Sequence, residues 1–468
     1  MEYKTDVATE SPKIRPRIVI HGGAGNIKRE NYTPEKYQAY RSALLTIVNK
    51  ANEYMNTSLS EKSAQQYCTE LKGSKTPSAL DVATYAVTLL EDNPLFNSAY
   101  GAVFTRDGTN ELEASVMVSR GHKKRAVGVM GIRHVRNPIL LAKKVLEHGE
   151  QDLDPKSHLS STARHDGDLD IPSAQGHSQI CGRAAEQLAR RYGLDMVEPE
   201  YYFTQQRWDE HVRTLEREKQ DLGLGTWDAE EYLPQGTVGA VALDEDGVIC
   251  VATSTGGMTN KLTGRIGDTP CVGAGFWAEE WAEKKDMTGV SAWEKITQAV
   301  QGSSAGISFA GPLKGLLADC LPTPFTYAPL NVDVDAGSSN TVITRSMGVS
   351  GTGNGDSFLR TNAVRTVAAM ARWKPESTAK ALTHVVGPNG ELQRSAGERW
   401  GRTGEGEGGM IGIQSVVERD AKTGRVLKLR SEVLMDYNSG GMHRAWVDDD
   451  GKARMSIWNN GGEDYNYS

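Results

Sequence analysis

Apolar residues along this chain recur with two spacings, one typical of strands and one typical of helices. Residues 17–20 are a β-branched run that breaks at the glycine-rich turn 21–25, and they predict a strand. Two helices with one buried face are predicted after Thr33 and after Thr76, because each begins with a threonine-proline pair and continues at helical spacing. The second helix should end before Pro94, since proline disfavours helix in the residue before it.

Downstream of Pro94 the pattern again mixes strands and helices. Residues 95–101 read as a loop. Strands are predicted at 102–106, 112–118, 126–132, 408–412 and 426–435, and helices from Asn137, over 182–192 and through 364–371. Such a succession indicates a globular protein that contains both helices and sheets.

Three stretches interrupt these patterns. Residues 151–179 are rich in Ser, Asp, His and Gly and predict a flexible insertion. Residues 205–236 are dense in charge, so they predict a polar helix or a charged linker that leads to Thr237. Residues 290–346 read as irregular and partly helical, and we interpret them as a second insertion.

The segment that begins at Thr237 predicts a β-hairpin. Residues 237–243 and 248–254 are apolar or small runs, joined by the turn 244–247, which ends in a glycine suited to a positive φ. Whether the loop has two or four residues, the register places Thr255 beside Thr237. Two neighbouring hydroxyls on a Gly/Ala-lined hairpin suit a nucleophile and a residue that orients it.

A threonine can supply its own base if it becomes an N-terminal residue. Its α-amino group then has a pKa of about 8 and lies on the same residue as the hydroxyl. Freeing that amine requires cleavage of the Gly236–Thr237 bond, and Gly236 leaves its carbonyl open to attack by the Thr237 hydroxyl. The alternative from this segment alone is an ordinary buried hairpin.

Two more groups of residues are candidates for binding and catalysis. Arg265 could hold an α-carboxylate and Asp268 an α-ammonium, although a surface ion pair is the alternative. In the glycine-rich run 351–355, the Thr352 hydroxyl and the Gly353 N–H could face a developing oxyanion, although a plain turn is the alternative.

A serine hydrolase is a competing interpretation. Residues 302–306 match the pattern G-x-S-x-G, and 21–24 resemble a glycine-rich oxyanion loop. That serine should follow a strand, however, whereas residues 293–301 read as helical.

Composition narrows the classes of function. The formal net charge of −7 gives no basic footprint for nucleic acid, and no apolar run approaches the length of a membrane span. Residues 1–16 lack an apolar signal core, and the five cysteines are scattered without CxxC spacing. We therefore expect a cytoplasmic protein with reduced thiols that binds neither nucleic acid nor membrane.

The ordered motifs together resemble the plant-type L-asparaginase and isoaspartyl peptidase family of N-terminal nucleophile hydrolases. The matching segments are 18–25, 94–97, 101–106, 237–242, 254–261, 264–268 and 438–442. Several motifs in order over most of the chain are far more specific than any one of them.

The resemblance implies a fold and an assembly. The expected fold is α+β, a four-layer αββα sandwich of the N-terminal nucleophile hydrolase type. Residues 1–236 would become the α chain and 237–468 the β chain of one domain, and two such αβ pairs would form a dimer. Residues 118–124, 151–179 and 290–346 depart from the family pattern.

The resemblance also implies roles for individual residues. Thr237 would be the nucleophile, Thr255 its orienting hydroxyl, Thr352 with Gly353 the oxyanion hole, Arg265, Asp268 and Gly355 the substrate site, and Asn97 a nearby polar support. No cofactor is implied for catalysis. A structural sodium ion would be held by the backbone carbonyls of Leu90, Glu91, Asn93, Phe96, Ser98 and Tyr100.

The implied activity is hydrolysis of L-asparagine or of β-aspartyl dipeptides with release of L-aspartate. Three alternatives are an endopeptidase related to threonine aspartase, a glycosylasparaginase, and a binding protein that keeps the fold without cleaving itself. Asp268 argues against the first, because an internal peptide bond offers no α-amino group for it to bind. The missing secretory signal argues against the second.

Overall fold

Two β-sheets and the helices packed on them form an α+β protein. The computed structural model describes residues 13–58, 76–120, 124–152, 173–220, 236–284, 341–374 and 377–458. The strands are β1 (Arg17–Gly25), β2 (Leu112–Val118), β3 (Ala126–Ile132), β4 (Gln179–Cys181), β5 (Val238–Leu243), β6 (Ile249–Thr255), β7 (Phe276–Lys284), β8 (Thr341–Gly353), β9 (Gly408–Asp420), β10 (Val426–Tyr437), β11 (Gly441–Val447) and β12 (Ala453–Ser456). The helices are α1 (Pro34–Met55), α2 (Ala79–Glu91), α3 (Pro138–Asp152), α4 (Gly182–Arg191), α5 (Gln205–Lys219), α6 (Gly355–Thr361), α7 (Ala363–Trp373), α8 (Thr378–Val386) and α9 (Glu391–Arg394).

The larger sheet has eight strands in the order β12-β11-β1-β5-β6-β2-β3-β4, and the smaller has four in the order β10-β9-β8-β7. Helices α1, α2 and α3 contact the larger sheet, whereas α7 and α8 contact the smaller one. Strands β5 and β6 also contact β8, so the two sheets face each other. The hairpin β5–β6 therefore lies between the helices and the second sheet.

Strand alternation explains how β1 can be covered on both faces. Ile18 and Ile20 join the core beneath the helices, while Val19 between them joins the core between the sheets. In β5, Ala240 and Val241 divide in the same way. Because both faces are buried, these strands read as continuous apolar runs.

Local capping sets where the first two helices begin. Thr33 accepts a hydrogen bond from the Lys36 N–H, and Pro34 occupies the first helical position, as predicted. The second helix starts at Ala79, later than the predicted Thr76, because Ser78 and Asp81 form a reciprocal capping box.

The predicted strand at 102–106 is wrong. Its contacts with neighbouring backbone include a single isolated bridge from Thr105 to Lys261. The carbonyls of Ala102 and Val103 accept hydrogen bonds from the Asn110 side-chain amide. These carbonyl groups are therefore hydrogen-bonded although the segment does not pair with a neighbouring strand.

Three predicted boundaries also change. Residues 205–219 are helix α5, whose Arg207, Glu210 and His211 are buried, so this part is not a linker. Gln179 already belongs to β4, and the last six residues of the predicted insertion 290–346 belong to β8. The G-x-S-x-G match at 302–306 lies outside the described residues.

No helix in the described ranges combines the length and the apolar character that crossing a bilayer requires.

Candidate active site

The hairpin β5–β6 positions the predicted nucleophile. Val238 pairs with Ser254, so one further step of the antiparallel register brings Thr237 level with Thr255. Leu243 pairs with Ile249, which gives a five-residue connection and makes both predicted loop lengths wrong. Asp244 closes this connection by accepting from the Val248 N–H. The neighbouring relation of the two threonines survives, because an error of one residue in the loop moves the register only slightly.

Thr237 is almost fully buried and forms hydrogen bonds through both its side chain and its backbone. Its Oγ1 lies 2.9 Å from Thr269 Oγ1, and its carbonyl accepts from the Thr352 hydroxyl at 2.9 Å. Thr352 Oγ1 in turn accepts from the Ala24 N–H at 3.2 Å. Strand β8, the turn after β1 and the 269 region therefore converge on one threonine.

Thr269 was missed by the sequence analysis. It follows Asp268 directly, in a Gly-Asp-Thr run beside Arg265 and Asp268, the predicted substrate anchors that we call the substrate clamp, and that position is the available signal. A threonine there carries little information alone because the residue type is common in extended segments.

Thr255 and Asn97 stabilise the turn that follows β6. Thr255 Oγ1 accepts from the Gly257 N–H at 3.0 Å. Asn97 donates from its amide to the Gly257 carbonyl at 2.7 Å, and its backbone carbonyl accepts from the Gly256 N–H. Asn97 thus stabilises the turn beside the two threonines.

Gly236 lies where no side chain fits. A β-carbon built on it would lie 2.3 Å from Gly23 Cα and 2.7 Å from the Ala24 nitrogen. The glycine-rich turn after β1 therefore packs directly on the residue before Thr237. This contact explains in physical terms why both segments are rich in glycine.

A neutral histidine, His21 in β1, contacts strand β8. His21 Nε2 is 2.7 Å from Ser350 Oγ, and burial lowers the pKa of His21 to about 3. His21 is consequently uncharged at neutral pH, and it links β1 to β8 two residues before Thr352. Its position was visible in the sequence only as part of a glycine-rich motif.

Arg265 and Asp268 converge as the clamp hypothesis requires. A β-carbon built on Gly355 would lie 2.5 Å from Asp268 Oδ1 and 3.1 Å from Arg265 Nη2. Arg265 Nη2 also pairs with the half-exposed Asp356 at 3.0 Å. The three predicted substrate-site residues therefore lie together.

Asp268 is buried with an incomplete set of partners. Its Oδ2 has no hydrogen-bond donor among the described residues, although the residue is only 4% exposed. Burial raises the pKa of Asp268 to about 7, and the Arg265 charge partly opposes this shift. A buried carboxylate oxygen without a donor is unfavourable, so this atom is suited to a bound cationic group.

Substitution of Gly355 tests whether Asp268 and Arg265 need a residue without a side chain beside them. We expect Gly355→Ala to raise the Michaelis constant for the substrate strongly, because its methyl group would lie 2.5 Å from Asp268 Oδ1 and would displace that carboxylate. Steady-state kinetics would measure this effect, and circular dichroism would verify folding. An unchanged Michaelis constant in the folded variant would contradict the clamp. A general control is Gly424→Ala, at a surface turn where nothing lies within 4 Å of an added β-carbon; its φ of +69° strains an alanine, so the change should lower stability but leave the Michaelis constant unchanged.

Similarity to known proteins identifies the class and the family of this chain. The fold and the threonine-lined site belong to an α+β hydrolase. The protein-family model described as Asparaginase matches residues 14–153 and 173–292, more than half of the chain. The chain therefore belongs to the asparaginase family.

Three relatives show the range of similarity. The isoaspartyl peptidase of Escherichia coli K12 is 37% identical over 272 residues, which cover 58% of this chain and 70% of that protein. The plant-type L-asparaginase of Pyrococcus abyssi is 33% identical over 57% of this chain and 71% of its own length. A probable isoaspartyl peptidase/L-asparaginase of Arabidopsis thaliana is 25% identical over 94% of this chain and 98% of its own.

Proposed function

We propose that the protein is an autoprocessed threonine amidohydrolase that cleaves L-asparagine, β-aspartyl dipeptides or both, and releases L-aspartate. The observation that carries the proposal is the arrangement around Thr237, a buried threonine preceded by an unsubstituted glycine and hydrogen-bonded to Thr269 and Thr352. Family membership and the names of the relatives from E. coli and P. abyssi support the same substrates.

Self-cleavage would begin with attack of Thr237 Oγ1 on the Gly236 carbonyl carbon. The new C–O bond forms an ester, the C–N bond breaks, and the nitrogen takes the hydroxyl proton to become an amine. Water then hydrolyses the ester, which leaves a carboxylate on Gly236 and a free hydroxyl on Thr237. Gly236 favours the attack because no side chain shields its carbonyl.

Turnover would use the amine that cleavage creates. The Thr237 amine takes the Oγ1 proton as Oγ1 attacks the side-chain amide carbon of the substrate. Thr255 would orient the nucleophile, while the Thr352 hydroxyl and the Gly353 N–H would stabilise the oxyanion. The leaving amine takes the proton, and water then hydrolyses the aspartyl ester to release L-aspartate.

The clamp would bind the other end of the substrate. Arg265 would bind the α-carboxylate, and the free oxygen of Asp268 would accept from the α-ammonium. Gly355 would leave space for both groups. Asp268 also disfavours a threonine-aspartase-like endopeptidase, because an internal peptide bond has no ammonium to satisfy this oxygen.

For the whole protein we propose a four-layer αββα sandwich of the N-terminal nucleophile hydrolase type. The contacts of α1–α3 with one sheet, of α7 and α8 with the other, and of the sheets with each other support this arrangement. Residues 1–236 would form the α chain and 237–468 the β chain, with two αβ pairs in a dimer.

We also propose that backbone carbonyls of the loop after α2 hold a structural sodium ion. The carbonyl of Phe96, one of the predicted ligands, lies close to Gly101, where a β-carbon would be 3.0 Å from its oxygen. The carbonyls of Glu91 and Asn93 accept from Tyr100 and Phe96, and each keeps a second lone pair. Such an ion would stabilise the loop that carries Asn97 and would take no part in catalysis.

Purified protein should contain two chains of nearly equal length. We expect the intact mass of 50.9 kDa to be replaced on a denaturing gel by material of about half that mass. Because the fragments would migrate together, mass spectrometry and N-terminal sequencing should identify Thr237 as the new terminus.

Release of L-aspartate from L-asparagine and from a β-aspartyl dipeptide should then be compared on the processed protein. An intact chain that turns over either substrate would overturn the mechanism. An intact chain that binds substrate without turnover would instead favour the non-cleaving binding protein. Preference for an asparagine that carries a sugar would favour the glycosylasparaginase.

A further inference from the structure

A cavity of about 460 Å³ lies beside the substrate clamp, and the mechanism above leaves it unused. Strands β2 to β4, the start of helix α4 and the 264–266 loop form its walls. Its volume falls within the range of about 300–1,000 Å³ that is typical of small-molecule sites. Neither Thr237 nor Thr255 lines it, whereas Arg265 does.

The Arg265 guanidinium separates this cavity from Asp268, the other charged residue of the substrate clamp. A β-carbon built on Gly355 would lie 3.1 Å from Nη2, on the side of Asp268. A β-carbon built on Gly267 would lie 2.7 Å from Nη1 and 3.1 Å from Glu113 Oε2. Glu113 therefore faces the other half of the guanidinium, and a ligand in the cavity would contact Arg265 from there.

Glu113 provides an anionic group with an open position. Its Oε1 accepts from the Gly267 N–H at 2.9 Å, but its Oε2 has no partner among the described residues, although the residue is only 1% exposed. No group of three or more His, Cys, Asp or Glu residues in the described ranges could hold a metal ion. An ammonium group, which offers three N–H donors, suits this single oxygen better than a metal ion does.

The start of helix α4, which also lines the cavity, offers a partner for a carboxylate. Arg183 lies in the first turn of α4 and has no ion pair or hydrogen bond with any residue that the structure describes. Cys181, at the cap of this ten-residue helix, makes no side-chain cap hydrogen bond. Lys261, which is buried and donates to the Glu111 carbonyl at 2.7 Å, lies on the side of Glu113 and Arg265.

We propose that the cavity binds a free α-amino acid with an apolar side chain, at a second site behind the arginine that binds the substrate. Glu113 Oε2 accepts from the ammonium, Arg183 binds the carboxylate, and Met130 and Ile266 contact the side chain. The other acids of the cavity are already paired, Glu111 with Arg133 and Glu186 with His134. This proposal goes beyond the proposed function, because binding at this site needs neither cleavage nor turnover.

Calorimetric titration of L-leucine into the full-length Thr237→Ala chain tests the proposal. This chain retains the cavity and cannot use the Thr237 hydroxyl. We expect saturable binding, weakened at least about tenfold by Glu113→Gln and by the exposed change Arg183→Ala. The analogue in which a hydroxyl replaces the ammonium, and leucinamide, which lacks the carboxylate, should be weakened similarly.

Asp268→Asn is the matched control, because Asp268 belongs to the clamp and does not line the cavity. Because Asp268 and Glu113 share Arg265, we expect a small effect on the affinity for L-leucine, below about threefold, against at least about tenfold for Glu113→Gln. Absence of saturable binding would overturn the proposal. So would weakening by Asp268→Asn together with unchanged binding to Arg183→Ala, which would assign L-leucine to the substrate clamp. Failure of self-cleavage in the wild-type chain would affect only the proposed function.

Discussion

Thr237→Ala should yield a single uncleaved chain with no measurable amidohydrolase activity. The substitution removes the group that attacks the Gly236 carbonyl and the group that attacks the substrate, so both reactions lose their nucleophile. We expect activity to fall by at least about a thousandfold, as is typical when a covalent nucleophile is removed. The mass of the purified chain and release of L-aspartate measure the two effects separately.

Thr237→Ser is the matched control for this experiment. Serine keeps the hydroxyl and, after cleavage, the amine, but it lacks the methyl group that fixes the side-chain rotamer of threonine. We expect slower cleavage and reduced turnover rather than their loss. Efficient cleavage of the Thr237→Ala chain before residue 237 would show that another group breaks the bond, and the assignment of the nucleophile would be wrong.

The sequence predicts the neighbourhood of Thr237, the proposed nucleophile, better than its contacts. The prediction that Thr255 lies next to Thr237 holds although the hairpin loop is longer than predicted. An error of one residue in the loop length shifts the register only slightly. The partners of the Thr237 hydroxyl and carbonyl, Thr269 and Thr352, come from segments that are distant in the chain. Such contacts depend on how the two sheets pack, which local periodicity does not encode.

Strand β7 shows why part of the fold escapes prediction. The strands predicted from the apolar pattern do not include Phe276–Lys284, where glutamates lie among the apolar residues. Glu279 is nevertheless fully buried and pairs with Lys124 at 2.9 Å and with Arg372 at 2.9 Å. A buried carboxylate is tolerated only with such partners, and these lie in remote parts of the chain.

The clamp illustrates the same limit. The residue types of Arg265 and Asp268 allow a substrate anchor, but taken alone they favour an ordinary ion pair on the surface. The structure adds the position of Gly355 between them and the unpartnered oxygen of Asp268. An oxygen left without a donor is a property of the packed protein, and it is the observation on which the proposed ammonium anchor rests.

Asp268→Asn should weaken substrate binding and remove its dependence on pH. The change keeps the shape of the side chain but removes the charge that would attract the α-ammonium. Loss of one partner of a buried charged pair costs about 2 kcal/mol or more, so we expect the Michaelis constant to rise at least about 30-fold. Asp356→Asn is the matched control, because this half-exposed partner of Arg265 forms a surface ion pair of small energetic value.

The pH dependence follows from the raised pKa of Asp268, which is about 7 in the free protein. Below that pH the carboxyl group is increasingly protonated and no longer attracts the ammonium, whereas above it the group is charged. In the wild-type protein the Michaelis constant should therefore rise about tenfold for each pH unit below about 7. In Asp268→Asn it should be high and nearly constant over the same range. The Thr237 amine also titrates, but as the base for the chemical step it should alter the turnover number, so the two groups are distinguishable. A wild-type Michaelis constant that does not change between pH 5 and 8 would contradict the assignment of Asp268 as the ammonium anchor.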